Sequence, residues 1–410
     1  MAPATATAAE SSYVVVYKRN VNDVSAKTSV LEYRLGFRSR FHYSSALEGF
    51  AASLSTSQLQ AVDADPDVAF SEPDTTSTVT GTVSLAGGEI GPVGIRRIGA
   101  ATLFAVHASS GVNIAELDTG IDLANSDLNS SSGVNCINTG AVATDDNGHG
   151  TNVAGIIGAN NQGAGVVGVA PGTKLYAVKV LGKTGSGTLS QILCGIDWVT
   201  ANTAALNIKV ANLSFAGSGR NDNNCGYSNN DAEHQAICKS TAAGVTYIAA
   251  AGNNSTSFAN YVPAAYPEVL TVTATTDTDG LPGGAGPTPC IKGQADDTYA
   301  TYSNYAASPT DQAHALAAPG TCVISDAIGG GTSTYYGTSQ AAPHVTGTVA
   351  LCLNDGGAPG ACSGINPSQI IAKVRADAAA YATTSNGFFG DPFHPITGKY
   401  FGYLVSAGNY

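Results

Sequence analysis

The chain has 410 residues, a net charge of −12, 43% hydrophobic residues and only 12% charged ones. That length and composition point to a compact protein of one large and one smaller domain, and away from a disordered chain. The acidic balance excludes nucleic acid as the main partner and disfavours an anionic membrane surface; solubility of a secreted protein is the plain reading.

The opening "MAPATATAAE" has no apolar run of the signal-peptide kind, so a secreted protein would carry its signal outside this sequence. No apolar stretch reaches the roughly 18 residues of a membrane span. Residues 12–74 form a small unit in the order β-α-β-β-α-β, a ferredoxin-like pattern. "SYVVVYK" is strand-like. "NDVSAKTSVLEYRL" reads as an amphipathic helix with Val24, Val30, Leu31 and Leu35 near one face. "RFHYSSALEGFAASL" supplies the middle strands. "STSQLQAVDADP" is a capped helix ended by Pro66, and "DVAFSEPD" returns as a strand. Residues 75–91, rich in Thr, Ser and Gly, read as a linker.

From residue 92 short apolar runs alternate with helical ones. "GVNIAELDTGID", "TKLYAVKVLG", "IKVANLSF", "GVTYIAAAGN" and "EVLTVTATT" read as strands. "HGTNVAGIIGA", "LSQILCGIDWVTAN" and "DAEHQAICKSTAAG" read as helices. Such alternation predicts an α/β domain with a mainly parallel sheet, whose reactive groups sit at strand carboxyl ends. Eight Cys, at 136, 194, 225, 238, 290, 322, 352 and 362, follow a stretch of 135 residues without any. No C-x-x-C pair supports a zinc site. An even count suits disulfides, and pairing of chain neighbours is the simplest scheme, though sequence does not determine connectivity; buried free thiols are the alternative.

Four residues stand out. Asp118 ends a buried strand in "AELDTG", His149 opens an apolar helix between Gly148 and Gly150, Asn253 follows a strand in "AAAGNN", and Ser339 begins the helix Thr338–Leu353 in "GTSQAAPHVTG". Each has an ordinary reading alone: a turn Asp, a structural His, a turn Asn, an N-cap Ser. Together they meet one chemical specification. A serine hydroxyl needs a base, the base needs a carboxylate to orient it, and the oxyanion needs a preorganised donor. The small residues around Ser339 leave room for a carbonyl beside its hydroxyl.

Those motifs resemble the subtilisin-like serine proteases (subtilases), including the proteinase K branch. "DTGID", "HGTNVAG", "AAAGN" and "GTSQAAPHVTG" match the family's aspartate, histidine, asparagine and serine motifs in order. "GVAPGTKLYAVKVLG", "YSNY", "LAAPGT" and "YFGYLVSAG" are further echoes. The resemblance implies a three-layer subtilisin-like domain over 81–410 behind an inhibitory propeptide over 1–80, with self-cleavage near Thr80–Gly81. It implies Ser339 as nucleophile, His149 as base then acid, Asp118 as orienter, and Asn253 with the Ser339 N–H as oxyanion hole. Gly185, Ser186 and Gly187, with Ser214, Phe215 and Ala216, match the two segments that pair with substrate backbone; ordinary edge strands are their bland reading. Leu189 matches a position lining the pocket for the fourth residue before the cut. Asn160, Gln162, Ala164 and Val166, with Asp127 and Glu89, match a calcium loop; the plain-loop alternative stands beside it. No organic cofactor is implied, and the expected partners are polypeptide substrates and the chain's own propeptide, acting on a monomer.

Three departures matter. Gln340 stands where the family usually has Met, Asn152 where it has His, and Ala216 where Gly is common. A thioether beside the nucleophile is readily oxidised, so this chain is expected to survive peroxide; rapid inactivation traced to the active site would contradict that. An α/β-hydrolase is excluded by motif and by order, since it places Ser first. A sedolisin-like peptidase, with Glu at the base position, is disfavoured by His149. A catalytically silent binding or inhibitor protein is the remaining alternative. Asn-Ser-Ser at 129–131 and Asn-Asn-Ser at 253–255 match the glycan acceptor pattern; the second overlaps the oxyanion asparagine and reads as chance.

Overall fold

The structure is a computed structural model and describes residues 10–18, 21, 23–43, 48–73, 82–108, 110–408 and 410. The chain divides into two compact units, Met1–Thr78 and Val79–Tyr410. The cut expected near Thr80–Gly81 lies outside the described residues.

The first unit runs β1 (Glu10–Tyr17), α1 (Val24–Leu35), β2 (Ser39–Tyr43), β3 (Gly49–Ser55), α2 (Thr56–Asp63) and β4 (Val68–Pro73). Its antiparallel sheet has the order β2-β3-β1-β4, the ferredoxin-like arrangement. Ser55 caps α2 through a reciprocal capping box with Gln58. Asp23 caps α1 by accepting from Ala26 N, and Gly36 ends it in the left-handed region at φ 73°. One expectation fails here. Val30 is 59% exposed, whereas Leu31 and Thr28 are buried. The helix turns Thr28 inward because its hydroxyl bonds both the Val24 carbonyl and the buried Tyr17 hydroxyl. A satisfied hydroxyl can sit where the hydropathy pattern asks for a valine.

In the second unit part of the expected linker is ordered. β5 (Thr82–Ser84) pairs antiparallel with β7 (Ala105–His107), and β6 (Glu89–Ile90) pairs parallel with β10 (Gly165–Val166), with a short α3 (Val93–Arg97) between β6 and β7. The central sheet contains β8 (Asn113–Asp118), β9 (Ser130–Asn135), β11 (Lys174–Lys179), β12 (Ile208–Leu213), β14 (Thr246–Ala250), β16 (Val269–Thr276), β17 (Thr298–Tyr299) and β18 (Ala315–Pro319). Their path is β17-β16-β14-β12-β8-β11-β9, with β18 also on β16, and every pair is parallel except β16 with β17. Two short strands, β13 (Gly217–Ser218) and β15 (Tyr261–Val262), form a separate ribbon. β19 (Val323–Asp326) and β20 (Thr332–Tyr335) form a hairpin.

Strand alternation then builds three layers. Ile114, Leu175, Ala177, Val210 and Ile248 pack in one core with Val153 and Ile157 of α4 (His149–Gly158), Val345 and Val349 of α8 (Thr338–Leu353), and Ile370 and Val374 of α9 (Pro367–Tyr381). Ala115, Leu117, Ala211, Leu213 and Tyr247 pack on the opposite face with Ile196 and Val199 of α5 (Leu189–Asn202) and Ile237 of α6 (Ala232–Ala242). A single turn, α7 (Pro309–Gln312), lies outside these layers. Truncating a fully buried residue such as Ile157 to Ala would cost about 2–5 kcal/mol. Four disulfides join 136–194, 225–238, 290–322 and 352–362, chain neighbours in every case. In the chain-entropy account each contributes about 3–4 kcal/mol by restricting the unfolded chain. No helix among the described residues is long and apolar enough to cross a membrane.

Candidate active site

Asp118 is the last residue of β8, a central strand flanked by β11 and β12, and is fully buried. By parity with Ile114 it points to the face covered by α4 and α8. Its Oδ1 accepts from Thr119 N at 2.7 Å and meets His149 Nδ1 at 2.8 Å. His149 opens α4 behind Gly148, whose φ of 110° suits glycine. The side chain is 21% exposed, and its ring meets Tyr335 edge-on at 6.3 Å. Burial alone lowers the imidazole pKa. The charge and hydrogen bond of Asp118, with the charge of Asp145, outweigh it and leave His149 above the ordinary histidine value.

Asp145 was not legible as a functional residue. Its Oδ1 accepts from Asn147 N, Gly148 N and the Thr119 hydroxyl at 2.9, 3.0 and 2.8 Å, and its Oδ2 from Thr151 N and the Thr151 hydroxyl at 2.9 and 2.6 Å. Thr119 in turn accepts from Gly150 N at 2.9 Å. The turn into α4 is thus clamped around one carboxylate. Beside it sits Glu116, fully buried on the same face of β8 as Asp118, with neither carboxyl oxygen hydrogen-bonded. Burial, then the charges of Asp118 and Asp145, push Glu116 well above the usual carboxylate range. A charged residue inside the apolar run "NIAELD" was the signal that could have found it.

Ser339 lies in the first turn of α8, after Gly337 at φ 148°. Asn253 follows β14, and its Oδ1 accepts from Thr338 N and the Thr338 hydroxyl at 2.8 and 2.9 Å. That fixes the amide so that Nδ2 is left to donate elsewhere. A Cβ added at Gly337 would lie 3.1 Å from Asn253 Nδ2 and 3.6 Å from Ser339 N, so both donors border the space glycine leaves open. Below them the Thr346 hydroxyl donates to Asn212, whose amide donates to the Ser214 hydroxyl, which donates to the Ser339 carbonyl at 2.8 Å. No hydrogen bond joins His149 to Ser339 among the described residues. Such bonds often tighten only with substrate in place. The helices that carry the two residues are linked one step away, by Gln340 Nε2 to Asn152 Oδ1 at 3.5 Å. Two of the residues that depart from the family pattern therefore touch each other.

Of the substrate-segment residues, Gly185, Ser186 and Gly187 are exposed and Leu189, 50% exposed, starts α5; Ser214, Phe215 and Ala216 continue from β12. Neither segment lies in a strand, so the edge-strand alternative does not hold: their backbones are left without ladder partners. Phe215, Ala216, Gly252, Asn253, Tyr261 and Ser339 are among the residues lining a cavity of about 220 Å³.

Glu89, Asp127, Asn160, Gln162 and Val166 of the expected calcium loop are linked by hydrogen bonds or strand pairing, and Ala164 lies within the same loop. β10 brings Val166 beside β6, which carries Glu89. Glu89 Oε2 accepts from Gln162 N and Gly163 N at 3.1 and 2.8 Å, and Gln162 Nε2 donates to Asp127 Oδ1 at 3.2 Å. The Asn160 amide donates to the Ser126 carbonyl. Glu89 Oε1 and Asp127 Oδ2 are buried without a partner. That donor set fits a hard cation. Burial, then the Glu89 charge, raise Asp127; burial, then the Asp127 charge, raise Asp326, which shares a side-chain hydrogen bond with Asp127 and has another to Asn125. A second acidic group, Asp277, Asp279 and Asp296, is already met by Arg97, whose Nε pairs with Asp277 at 2.6 Å.

Comparison with known proteins agrees with this geometry. The sequence profile of the subtilase family matches residues 109–390, and that of peptidase inhibitor I9 matches residues 10–80. Subtilisin E of Bacillus subtilis (strain 168) is 33% identical over 354 residues, 84% of this chain and 81% of that protein. Alkaline serine protease ver112 of Corniculantispora psalliotae is 32% identical over 329 residues, 78% of this chain and 76% of its own. A solved structure described as a cold adapted subtilisin-like serine proteinase matches with a TM-score of 0.56 at 27% identity, covering 77% of this chain and 98% of that one. The chain belongs to the subtilase family of serine peptidases and carries an inhibitor-type propeptide domain at its N-terminal side.

Proposed function

We propose that the protein is a secreted endopeptidase made as a zymogen, which cuts peptide bonds through Asp118, His149 and Ser339 by way of an acyl-enzyme. The observation that carries this reading is the 2.8 Å contact of His149 Nδ1 with the buried Asp118 carboxylate. Ser339 Oγ attacks the scissile carbonyl carbon while His149 Nε2 takes its proton. Asp118 holds the Nδ1–H and stabilises the imidazolium. The carbonyl oxygen becomes an oxyanion facing Asn253 Nδ2 and the Ser339 N–H, at the N-terminus of α8. The C–N bond then breaks and His149 gives its proton to the leaving amine. Water, activated by the same imidazole, releases the acyl group and restores Ser339. Asn253→Ala should lower kcat by about 10²–10³, the range for losing one such donor in this family, with KM little changed in steady-state assays.

Substrate enters as an extended strand between 185–187 and 214–216, and recognition through backbone supports broad specificity. Leu189 borders the pocket for the fourth residue before the cut. The cavity beside Ala216 receives the first. The N-terminal unit keeps the enzyme silent until the chain removes it near Thr80–Gly81. Glu89, Asp127 and Gln162, with the carbonyls of Asn160, Ala164 and Val166, would hold a calcium ion. When bound, that ion neutralises the buried carboxylates and cross-links the loop to β6. The enzyme works as a monomer on polypeptides, without a nucleic-acid or membrane partner.

The test is incubation of the purified chain, with N-terminal sequencing and a casein assay, beside Ser339→Ala. The wild type should acquire a new N-terminus close to Gly81 and digest casein, while the variant stays full-length and inert. Equal casein hydrolysis by both would overturn the assignment.

A further inference from the structure

The disulfide Cys225–Cys238 has neighbours that the other three lack. Among the described residues it is the one disulfide whose sulfurs lie, with an imidazole nitrogen of His234 and a carboxylate oxygen of Glu268, all within 4.8 Å of one another. His234 and Cys238 stand four residues apart on α6 and so share one face of the helix. Cys225 comes from the loop ahead of α6, where it takes the left-handed conformation at φ 48°, and Glu268 immediately precedes β16. His234 is fully buried, whereas Cys225, Cys238 and Glu268 are half-buried. Two surface cavities of about 770 Å³ each are lined by both cysteines, and Glu268 lines one of them. By contrast Cys352 and Cys362 are fully buried.

The imidazole is held in place from two sides. Tyr266 stacks on it with ring centroids 4.0 Å apart, and Asp222 Oδ1 lies 3.5 Å from its Nδ1. Asp222 is itself anchored, accepting from Asn224 N, Gly226 N and Ser228 N at 2.9, 2.9 and 2.7 Å. On the other side Nε2 is 2.9 Å from Glu268 Oε2, and Cys225 Sγ is 3.8 Å from Glu268 Oε1. With Nδ1–H turned to Asp222, Nε2 presents a lone pair to a carboxylate, and two such acceptors need a proton or a cation between them. A carboxylate on the far ring nitrogen is the usual outer partner of a metal-binding histidine. We propose that, once a dithiol reductant opens the 225–238 disulfide, Cys225, His234, Cys238 and Glu268 form a four-ligand Zn²⁺ site. The dithiol gives two electrons and two protons to the sulfurs and becomes a disulfide itself. Zn²⁺ then displaces the two thiol protons and takes two thiolates, one imidazole nitrogen and one carboxylate oxygen, a donor set and number suited to tetrahedral zinc. The ion replaces the lost cross-link and adds Glu268 to it, so the loop, α6 and the start of β16 are tied at one point in a chain that has not been oxidised.

The experiment uses the full chain carrying Ser339→Ala, which stops self-digestion. It is reduced with dithiothreitol, desalted without oxygen in calcium-containing buffer, and titrated with zinc chloride, with cobalt chloride as the spectroscopic probe. The readouts are the melting temperature and the rate of cysteine alkylation, mapped by peptide mass spectrometry. The reduced chain should bind one zinc ion that raises its melting temperature, and cobalt should give the thiolate charge-transfer and tetrahedral ligand-field bands. Zinc should slow alkylation of Cys225 and Cys238 about tenfold or more and leave Cys290 and Cys322 unaffected. Glu268→Gln, at a half-buried position, should weaken zinc binding by about tenfold or more, as should His234→Gln. The oxidised chain should show none of these effects. No zinc binding by the reduced chain, protection of Cys290 and Cys322 instead, or affinity unchanged in both the Glu268 and His234 variants would each overturn the proposal.

Discussion

Asp145, at the entrance to α4, and Asp127, beside the 160–166 loop, are both buried aspartates, 4% and 6% exposed. They are treated in opposite ways. Asp145 accepts five hydrogen bonds from backbone and hydroxyl donors, so its charge is neutralised by fixed dipoles. Asp127 accepts from the Gln162 amide at 3.2 Å, shares a hydrogen bond with a second acid, Asp326, and feels the like charge of Glu89. A carboxylate saturated with donors holds geometry rigidly. A set of unsaturated carboxylates is unfavourable until a cation arrives. The first arrangement suits a site where proton positions decide the chemistry; the second suits a site whose stability depends on a metal. Glu116 is the exception, an unpartnered acid placed next to the saturated region.

The sharpest test of the first region is Asp118→Asn. It keeps the shape but reverses the hydrogen bond that sets the imidazole tautomer, and kcat should fall about 10⁴-fold in casein or peptide-ester assays. Activity within tenfold of wild type would mean that the buried carboxylate is not used. For the second region, chelation should lower the melting temperature by several degrees. Losing a ligand held at 100 times its Kd removes about 2.7 kcal/mol, and each kcal/mol is worth about 2–4 °C in proteins of 150–250 residues. Equal melting curves with and without chelator would erase the contrast between the two regions.

A smaller effect concerns pH. The base must be neutral to act, and His149 titrates above the ordinary histidine value. The acidic limb of kcat/KM should therefore lie above pH 6.5. Asp145→Asn removes a negative charge that raises the imidazole, so the limb should move to lower pH, along with some loss of kcat from the loosened turn. A limb that moves upward would contradict the electrostatics described here. The mildest effect is expected for Glu116→Gln. The folded chain keeps the Glu116 proton after the unfolded chain has released it above the ordinary glutamate value of 4.5, so the native state loses stability as pH rises from there towards the folded pKa. Glutamine has no proton to lose. The variant should gain melting temperature at pH 9 relative to wild type and gain little or nothing at pH 5, as read by differential scanning calorimetry.

The apolar runs holding "NIAELD" and "KLYAVK", the helical run "HGTNVAGIIG", and the Ser/Thr cap of α2 were readable because each depends on neighbours within one turn or one short strand. β9, "SSSGVN", was not readable, since strand pairing with β11 overrides its polar, glycine-containing sequence. The same limit hid Thr338, Asp145 and Asp326. Each looks like an ordinary turn or strand-end residue until a distant segment supplies its partner: Asn253 for Thr338, Thr119 for Asp145, Asp127 for Asp326. Nor did the sequence show that Gln340 and Asn152, two departures from the family pattern, meet across two helices.

The candidates for the reactive residues and their order, the α/β architecture and the two-part plan were thus written in local pattern, where short-range periodicity and motif chemistry suffice. Which oxygens are satisfied and which are left bare was decided only by the tertiary structure, because hydrogen-bond saturation depends on segments far apart in the chain meeting at one point.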